Sequence, residues 1–484
     1  MAKRRYRQRQ RQTDGPRERV TLELSGVAHG GEAIGRHEGR VFFVPYGLPG
    51  ETVVAEIVQD KPDYARAEIV EVVEASPDRV LAPCAYFGRC GGCQWQHASY
   101  DAQLQFKRGI VAEQLRRIGH FEDADRLVLP TIGMADPWHY RNHARFTVGR
   151  RFGELCFTHA GTRQLLRIDH CWLMNPTIDA LLARLQRRLP GFRAHQLSIR
   201  VGANTGDVMI QPELPSLGDP VPIGEDELER AGDPSIPAER PHALGTAPEP
   251  PFHDDTAAWS CDATPSGQTE LYEDLLGRRF RVAAPAFFQV NTRRERRGPD
   301  FPSTEIVARF GHLIPEGGLS IAEVLVLLGI DRLDPQPDDV VVDAYCGVGT
   351  FSALLAPFAR DVVGIEESPA AIKDAEQNCA DLTNLRFIAG KVEDVLPKLT
   401  ERPSKVLLDP ARVGCERPVL DALVEAQPER IVYVSCEPAT LARDLAVLRE
   451  GGYTLQSVQP LDMFPQTYHV ESVSLLVRRV QTQA

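Results

Sequence analysis

Three of the chain's ten cysteines fall within ten positions, in CAYFGRCGGCQWQH, residues 84–97. Thiolates at that density suit a zinc ion or an iron–sulfur cluster, and either needs a fourth ligand from elsewhere in the chain. A second chemistry is written in YVSCEPATLARD, residues 433–444, where Cys436 falls at a strand-to-helix junction. Helix N-terminal amides stabilise a thiolate and lower its pKa, which makes Cys436 a candidate nucleophile; the alternative is a small buried hydrophobe. In DAYCGVGT, residues 343–350, Gly347 and Gly349 allow close backbone approach between a strand and a helix. Glu366 ends the next strand, where a carboxylate can accept hydrogen bonds from ribose hydroxyls. Without GxGxxG spacing, this pocket suits S-adenosylmethionine better than a dinucleotide. VLLDPAR, residues 406–412, sets Asp409 and Pro410 at another strand end over the same pocket.

The elements that must position these groups are legible as three patterns. Residues 20–80 give short runs rich in Val, Ile and Phe between Gly and Pro turns (VTLELSG, GRVFFVPYGLPGE, TVVAEIVQD, YARAEIVEVVE), the pattern of a small antiparallel barrel. A helix is expected over residues 99–119, followed over 139–210 by a mostly β region in which Arg141, His143 and Arg145 can face RNA phosphates or solvent. Eleven prolines among acidic residues between 212 and 265 predict a loop insertion, and NTRRERRGPDFPS, residues 291–303, a second excursion. From 338 onward short apolar strands alternate with helices, which predicts a mostly parallel sheet covered on both faces, with ligands beyond the strand C-termini.

At 484 residues, with 43% hydrophobic and 25% charged, the chain is long enough for two or three globular domains. No apolar run of about 18 residues occurs, and MAKRRYRQRQRQ lacks a signal peptide's apolar segment, so a cytoplasmic protein without membrane contact is expected. There, close cysteines favour metal binding or catalysis over disulfides. The net charge of −12 argues weakly against a nucleic-acid partner, but residues 1–19 carry eight Lys or Arg and can touch phosphate.

Taken in order, these motifs resemble the bacterial S-adenosylmethionine-dependent RNA (uracil-5-)-methyltransferases, especially the 23S ribosomal RNA branch. The resemblance implies a basic tail (1–18), an OB-like TRAM barrel (19–80) carrying GRVFFVPYGLPGE, a mostly β iron–sulfur and RNA-binding region (81–285, with the Pro-rich insertion at about 212–268), and a Rossmann-like α/β methyltransferase domain (286–484). It implies that Cys84, Cys90 and Cys93, in C-x5-C-G-G-C, join Cys171 of IDHCWLMNP around one [4Fe–4S] cluster, with a structural zinc site as the alternative; Cys156 is expected to be incidental. It assigns cofactor contacts to Gln289 in FFQVN, Tyr345, Glu366 and Asp409, the nucleophile to Cys436, and the proton-abstracting base to Glu471 in DMFPQTYHVESVSLL. Read without the resemblance, alternation in ESVSLL points Glu471 to solvent.

The implied chemistry needs such a pair. Uracil carbon 5 becomes nucleophilic only after a thiolate adds to carbon 6, and a base must later remove the carbon 5 proton. A uridine of 23S ribosomal RNA is the expected substrate and a transfer RNA uridine the alternative; a non-catalytic RNA-binding or ribosome-assembly protein is the reading from another class. A monomer is expected. Two departures from the family pattern stand out: Glu437, where Asn commonly follows the nucleophile, and Ala411, where a second proline is usual. A carboxylate at 437 opposes thiolate formation unless it points away or is neutralised.

Overall fold

The computed structural model describes residues 17–150, 152–162, 164–215, 217, 221, 266–296 and 303–479. Residues 1–16 of the expected tail, most of the Pro-rich insertion and part of the second excursion lie outside the described residues. Strands β1 (Arg19–Val27), β2 (Ala33–His37), β3 (Arg40–Val44), β4 (Thr52–Asp60) and β5 (Tyr64–Glu74) close into a barrel in the order β1-β2-β3-β5-β4. Their alternation does the work expected of it: Val20, Leu22 and Leu24 point inward along β1 onto Val53 and Ala55 of β4, while the residues between them are exposed. Arg17 and Arg19 at the barrel's entry pair with Glu56.

Helix α1 (Tyr100–Arg117) follows, its first turn capped by the Ser99 hydroxyl, which accepts from the Ala102 amide at 3.3 Å. Strands β6 (His143–Val148), β7 (Leu155–Thr158), β8 (Leu165–Arg167), β9 (Gln196–Val201) and β10 (Val208–Gln211) form an antiparallel sheet, with α2 (Pro176–Leu185) packed on it through Ile178, Leu181, Leu182 and Leu185. A hairpin, β11 (Glu270–Leu275) and β12 (Arg278–Ala283), leads through α3 (Thr304–Phe310) to α4 (Ile321–Leu333). Helix α4 is apolar nearly all round, hence buried, and opens with a capping box between Ser320 and Glu323.

The C-terminal sheet has seven strands in the order β15-β14-β13-β16-β17-β19-β18. β13 (Val340–Ala344), β14 (Asp361–Glu366), β15 (Leu385–Ala389), β16 (Lys405–Leu408) and β17 (Arg430–Ser435) run parallel, connected through α5 (Thr350–Leu355), α6 (Pro369–Asn378) and α7 (Arg417–Ala426). After α8 (Pro438–Glu450) the chain adds β18 (Tyr453–Leu461) at the edge and then inserts β19 (Glu471–Arg478) antiparallel between β17 and β18. The expected parallel core is present; this closing hairpin is additional.

The layers are interlocked. Helix α1 packs on α8, β1 and β18, and its Val111, Ala112 and Leu115 join the core under the C-terminal sheet, so this helix, N-terminal in sequence, is part of the C-terminal domain's packing. Lys107 of α1 and Asp462, the first residue after β18, form an ion pair with both side chains fully buried. The Gln103 amide oxygen accepts from the Gln466 backbone at 3.0 Å, and its nitrogen donates to the Gln466 side chain. Among the described residues no helix is long and apolar enough to cross a membrane.

Candidate active site

At the C-terminal ends of β13, β14, β16 and β17 the chain brings together most of the groups singled out from sequence. After β13, Tyr345 adopts a left-handed φ of 67° and is followed by Gly347 at 55° and Gly349 at 84°, which caps α5. The direction at Gly347 where a Cβ would stand is open, whereas at Gly349 a Cβ would press on Ala375, Phe387 and Cys379, so one glycine leaves space for a ligand and the other lets helix and strand close. Glu366, at the end of β14, accepts from the amides of Gly347 at 3.1 Å and Ser368 at 2.8 Å. Each carboxylate oxygen keeps a lone pair for a ribose hydroxyl. Asp343 lies beneath, accepting from the Ser352 hydroxyl at 2.5 Å; burial, with Glu366 adding to it, pushes its carboxyl up to about 6. Its second oxygen is buried without a hydrogen-bond partner.

The hairpin β11–β12 supplies the opposite wall. Arg281 of β12 pairs with Asp374 of α6, whose other oxygen accepts from the Ala283 amide at 2.6 Å. That docking carries Ala286 and Phe288 onto Val348 of the glycine loop, and the following residue, Gln289, is half-buried. The Tyr345 side chain turns the other way: its hydroxyl meets the Cys415 thiol in the group formed by Tyr433 and Asp444, and burial raises its pKa.

The reacting pair comes from neighbouring strands. Ser435 on β17 is registered with Ser472 on β19, which places Cys436 and Glu471 at the same end of the ladder. Glu471 is 4% exposed, which overturns the solvent-facing alternative. Burial lifts its pKa well above the usual carboxylate range, Asp409 adds to the rise and Arg412 opposes it. Asp409 is itself pushed up to about 7 by burial and by Asp343. The Cys436 thiol, half-buried, is raised to about 12 by burial, then Glu471; Arg412 opposes and Asp409 adds. The sequence expectation is a lowered thiol; in the fold burial first, and then the carboxylates of Glu471 and Asp409, act against the helix-terminal amides. Arg412 and His469 were not singled out from sequence. Arg412 is the exposed cation facing Cys436, Glu471 and Glu437, and His469 is pushed down to about 4, by burial first and then by Arg412. The position of Arg412, directly after the strand-end Asp-Pro-Ala, was the available signal.

Glu437 does not crowd the thiol with a free charge: its carboxylate meets His29 of the barrel at 3.0 Å. The hydrogen bond from His29 holds its pKa below the usual range.

Cys84, Cys90, Cys93 and Cys171 pack against the same apolar cluster of the central sheet, none of them in a disulfide. Burial raises Cys93, and the nearby Cys171, Cys84 and Cys90 raise it further; Cys171 is raised to about 12 by burial and by Cys84. Arg141 acts on Cys90 and Cys171 in the opposite sense, and its Nε is buried without a partner. Cys84 is buried and the other three are half-buried, and thiols near a cation are the donor type that an anionic iron–sulfur cluster takes. Among the described residues no group of three His, Cys, Asp or Glu side chains is placed to hold a metal ion. Cys156 is buried on β7.

Of the arginines and histidine expected to face RNA, Arg141 serves the cysteine group and His143 bonds Ser198 at 2.8 Å, leaving Arg145 exposed. In the second excursion Arg293 pairs with Asp136 and Arg294 with buried Glu323, while Arg297 lies outside the described residues.

Comparison with known proteins follows the same outline. Residues 320–479 match the family model of tRNA (uracil-5-)-methyltransferase, and residues 11–70 that of the TRAM domain. The chain is 34% identical over 480 residues to an uncharacterized RNA methyltransferase of Halalkalibacterium halodurans, covering 94% of this chain and 96% of the relative. It is 36% identical over 484 residues to another from Gloeobacter violaceus, covering 95% and 96%. Among solved structures, the tRNA (uracil-54, C5)-methyltransferase of Pyrococcus abyssi, in complex with S-adenosyl-L-homocysteine, superposes with a TM-score of 0.62 at 22% identity, covering 95% of this chain and 100% of that one, a likeness of fold.

Proposed function

The chain belongs to the S-adenosylmethionine-dependent RNA (uracil-5-)-methyltransferases, and from that premise we propose that it methylates one uridine of 23S ribosomal RNA through a covalent adduct between Cys436 and uracil carbon 6. The observation that carries the reading is the pairing of Cys436 with buried Glu471 across the β17–β19 ladder, at the mouth of the glycine-loop pocket. Bound S-adenosylmethionine supplies the electrophilic methyl group. Glu366 receives its ribose hydroxyls, Gln289 and Tyr345 flank the glycine loop that takes the nucleoside, and Asp409 lies toward the methionine portion and the base.

On the protein side the order of events follows from the charges. The Cys436 thiol gives its proton to solvent water as the base enters; the thiolate adds to carbon 6, and the electron pair of the carbon 5–carbon 6 double bond is left at carbon 5, which takes the methyl group and leaves S-adenosylhomocysteine. Glu471, deprotonated, then removes the carbon 5 proton, and the electrons returning through the ring expel Cys436. Arg412 offsets the charge of the thiolate and of both carboxylates. Reaching carbon 6 requires the uridine to leave its stack, which costs least in a loop or bulge of folded RNA. Cys84, Cys90, Cys93 and Cys171 hold a [4Fe–4S] cluster that pins the segment before α1 to the central sheet, a positioning role supported by these thiols and Arg141. We further propose a cytoplasmic monomer, with a TRAM barrel at 19–80, the cluster region at 81–285 and the methyltransferase domain from 286.

The test is methyl transfer from radiolabelled S-adenosylmethionine by anaerobically purified protein to unmodified 23S ribosomal RNA and to transfer RNA, with the labelled nucleotide identified by mass spectrometry. 5-Methyluridine in ribosomal RNA alone supports the reading. Label in transfer RNA alone replaces the substrate, and label in neither, with the cluster intact, removes the catalytic reading for these substrates.

A further inference from the structure

The barrel reaches the nucleophile at one point. His29 sits in the turn between β1 and β2, closed by hydrogen bonds from the Ala28 amide to Glu32 and from the Gly31 amide to Ala28. The turn is clamped from both sides. The Trp95 indole donates to the Gly31 carbonyl at 3.0 Å, and Gly31, at φ 90°, passes so close to Tyr468 that a Cβ there would stand 3.2 Å from the tyrosine's own. The His29 ring meets the Tyr468 ring edge-on at 6.2 Å. From that fixed turn Nε2 reaches the Glu437 carboxylate.

Glu437 has little backbone freedom. It is the residue before α8, its amide donates to the Ser435 hydroxyl at 3.1 Å, and that hydroxyl donates back to the Glu437 carbonyl at 3.2 Å. What remains free is the side chain, and next to it lies the space at its chain neighbour Cys436. That space already holds two carboxylates, Asp409 from beyond β16 and Glu471 from β19, against Arg412; the remaining titratable neighbours are His469 and His29 itself.

We propose that His29 is a positioning residue for the reaction: it binds the Glu437 carboxylate, holds it away from Cys436, and so makes the nucleophile's reactivity depend on the barrel being seated. The inference rests on Cys436 being the nucleophile. It also accounts for a glutamate next to Cys436, since its carboxylate is hydrogen-bonded by a group from another domain rather than left facing the thiolate.

The experiment compares wild type, His29→Ala and His29→Ala with Glu437→Gln, as full-length protein with its metal content intact. Two quantities are read: the pH dependence of iodoacetamide alkylation of the Cys436 peptide by mass spectrometry, and kcat and KM for RNA methylation. Loss of the His29 partner is expected to move the alkylation midpoint up by about one pH unit and lower kcat about tenfold, with KM for RNA changed less than about twofold. The double variant returns both toward wild type. His29→Gln, which keeps a hydrogen-bond donor on a shorter reach, falls between. Wild-type alkylation in His29→Ala, or a defect that Glu437→Gln does not repair, overturns the proposal; the second outcome assigns His29 to barrel docking or RNA binding alone. Methylation surviving in Cys436→Ala overturns the underlying reading instead, so the two failures are separable.

Discussion

Cys436 and Glu471 emerge from opposite directions at one end of the same ladder, each the neighbour of a member of the Ser435–Ser472 pair. Nucleophile and base are thus referenced to the sheet's hydrogen-bond register rather than to loop conformation, which suits a reaction in which both must address adjacent ring carbons.

Replacing Cys436 by Ala is expected to lower turnover by at least about 10⁴-fold, the scale seen when a covalent nucleophile is removed. RNA carrying 5-fluorouridine at the target should form a covalent complex, visible on a denaturing gel, with wild type and none with the variant. A complex with the variant means another nucleophile.

Glu471→Gln should separate the half-reactions. Methyl transfer in the first turnover persists, while release slows by about 10²- to 10⁴-fold, the usual span for general-base catalysis, and methylated RNA remains bound through Cys436. Normal multiple turnover would leave Glu471 without the assigned role.

The raised thiol has a directional consequence. Because burial and two carboxylates push Cys436 up to about 12, the thiolate fraction grows with pH throughout the working range. Glu471, also raised, is likewise more often in its basic form as pH rises. Both steps gain in the same sense, so single-turnover adduct formation should climb from pH 6 to 9 by up to roughly tenfold per pH unit without an alkaline limb. A bell centred near neutrality would require a protonated catalytic group absent from this assignment.

The Lys107–Asp462 pair joins α1 to the loop that leads to Glu471, with both side chains out of solvent. Lys107→Met leaves a buried carboxylate uncompensated and should cost about 3–5 kcal/mol in urea unfolding, whereas adding Asp462→Leu recovers most of it. Equal losses in single and double variants would show that packing, not charge, governs the site.

For the cysteine group, Cys171→Ser purified without oxygen should lose iron, sulfide and the visible charge-transfer absorption that wild type shows. Zinc in stoichiometric amount, with no iron in either protein, would assign the four thiols to the alternative ion.

The parallel half of the C-terminal sheet was legible because its strands are buried on both faces and read as unbroken apolar runs; VVVDA of β13 is buried at every position. The barrel was legible for the opposite reason, strict alternation. Glu471 misleads because ESVSLLVR alternates like a half-exposed strand yet lies inside a sheet with α4 packed against it, and its first four residues are all buried. A period of two predicts exposure only when one face is free. Cys436 misleads differently: its environment is made by Asp409 and Glu471, whose approach depends on strand order rather than on nearby sequence. The match of Glu437 with His29 was beyond reach for the same reason, since an anomaly at 437 is visible in the sequence while its partner near the other end of the chain is not.

Because β19 is threaded between β17 and β18, the sheet is closed by a strand made after both of its neighbours. Until it arrives, β17 and β18 have no common partner and each presents an unpaired edge, so a nascent chain halted near residue 470 carries a folded barrel and two adhesive strands. Premature stops in this region should therefore yield aggregating or rapidly degraded products rather than weak enzymes, and a C-terminal fusion is best attached beyond Arg478.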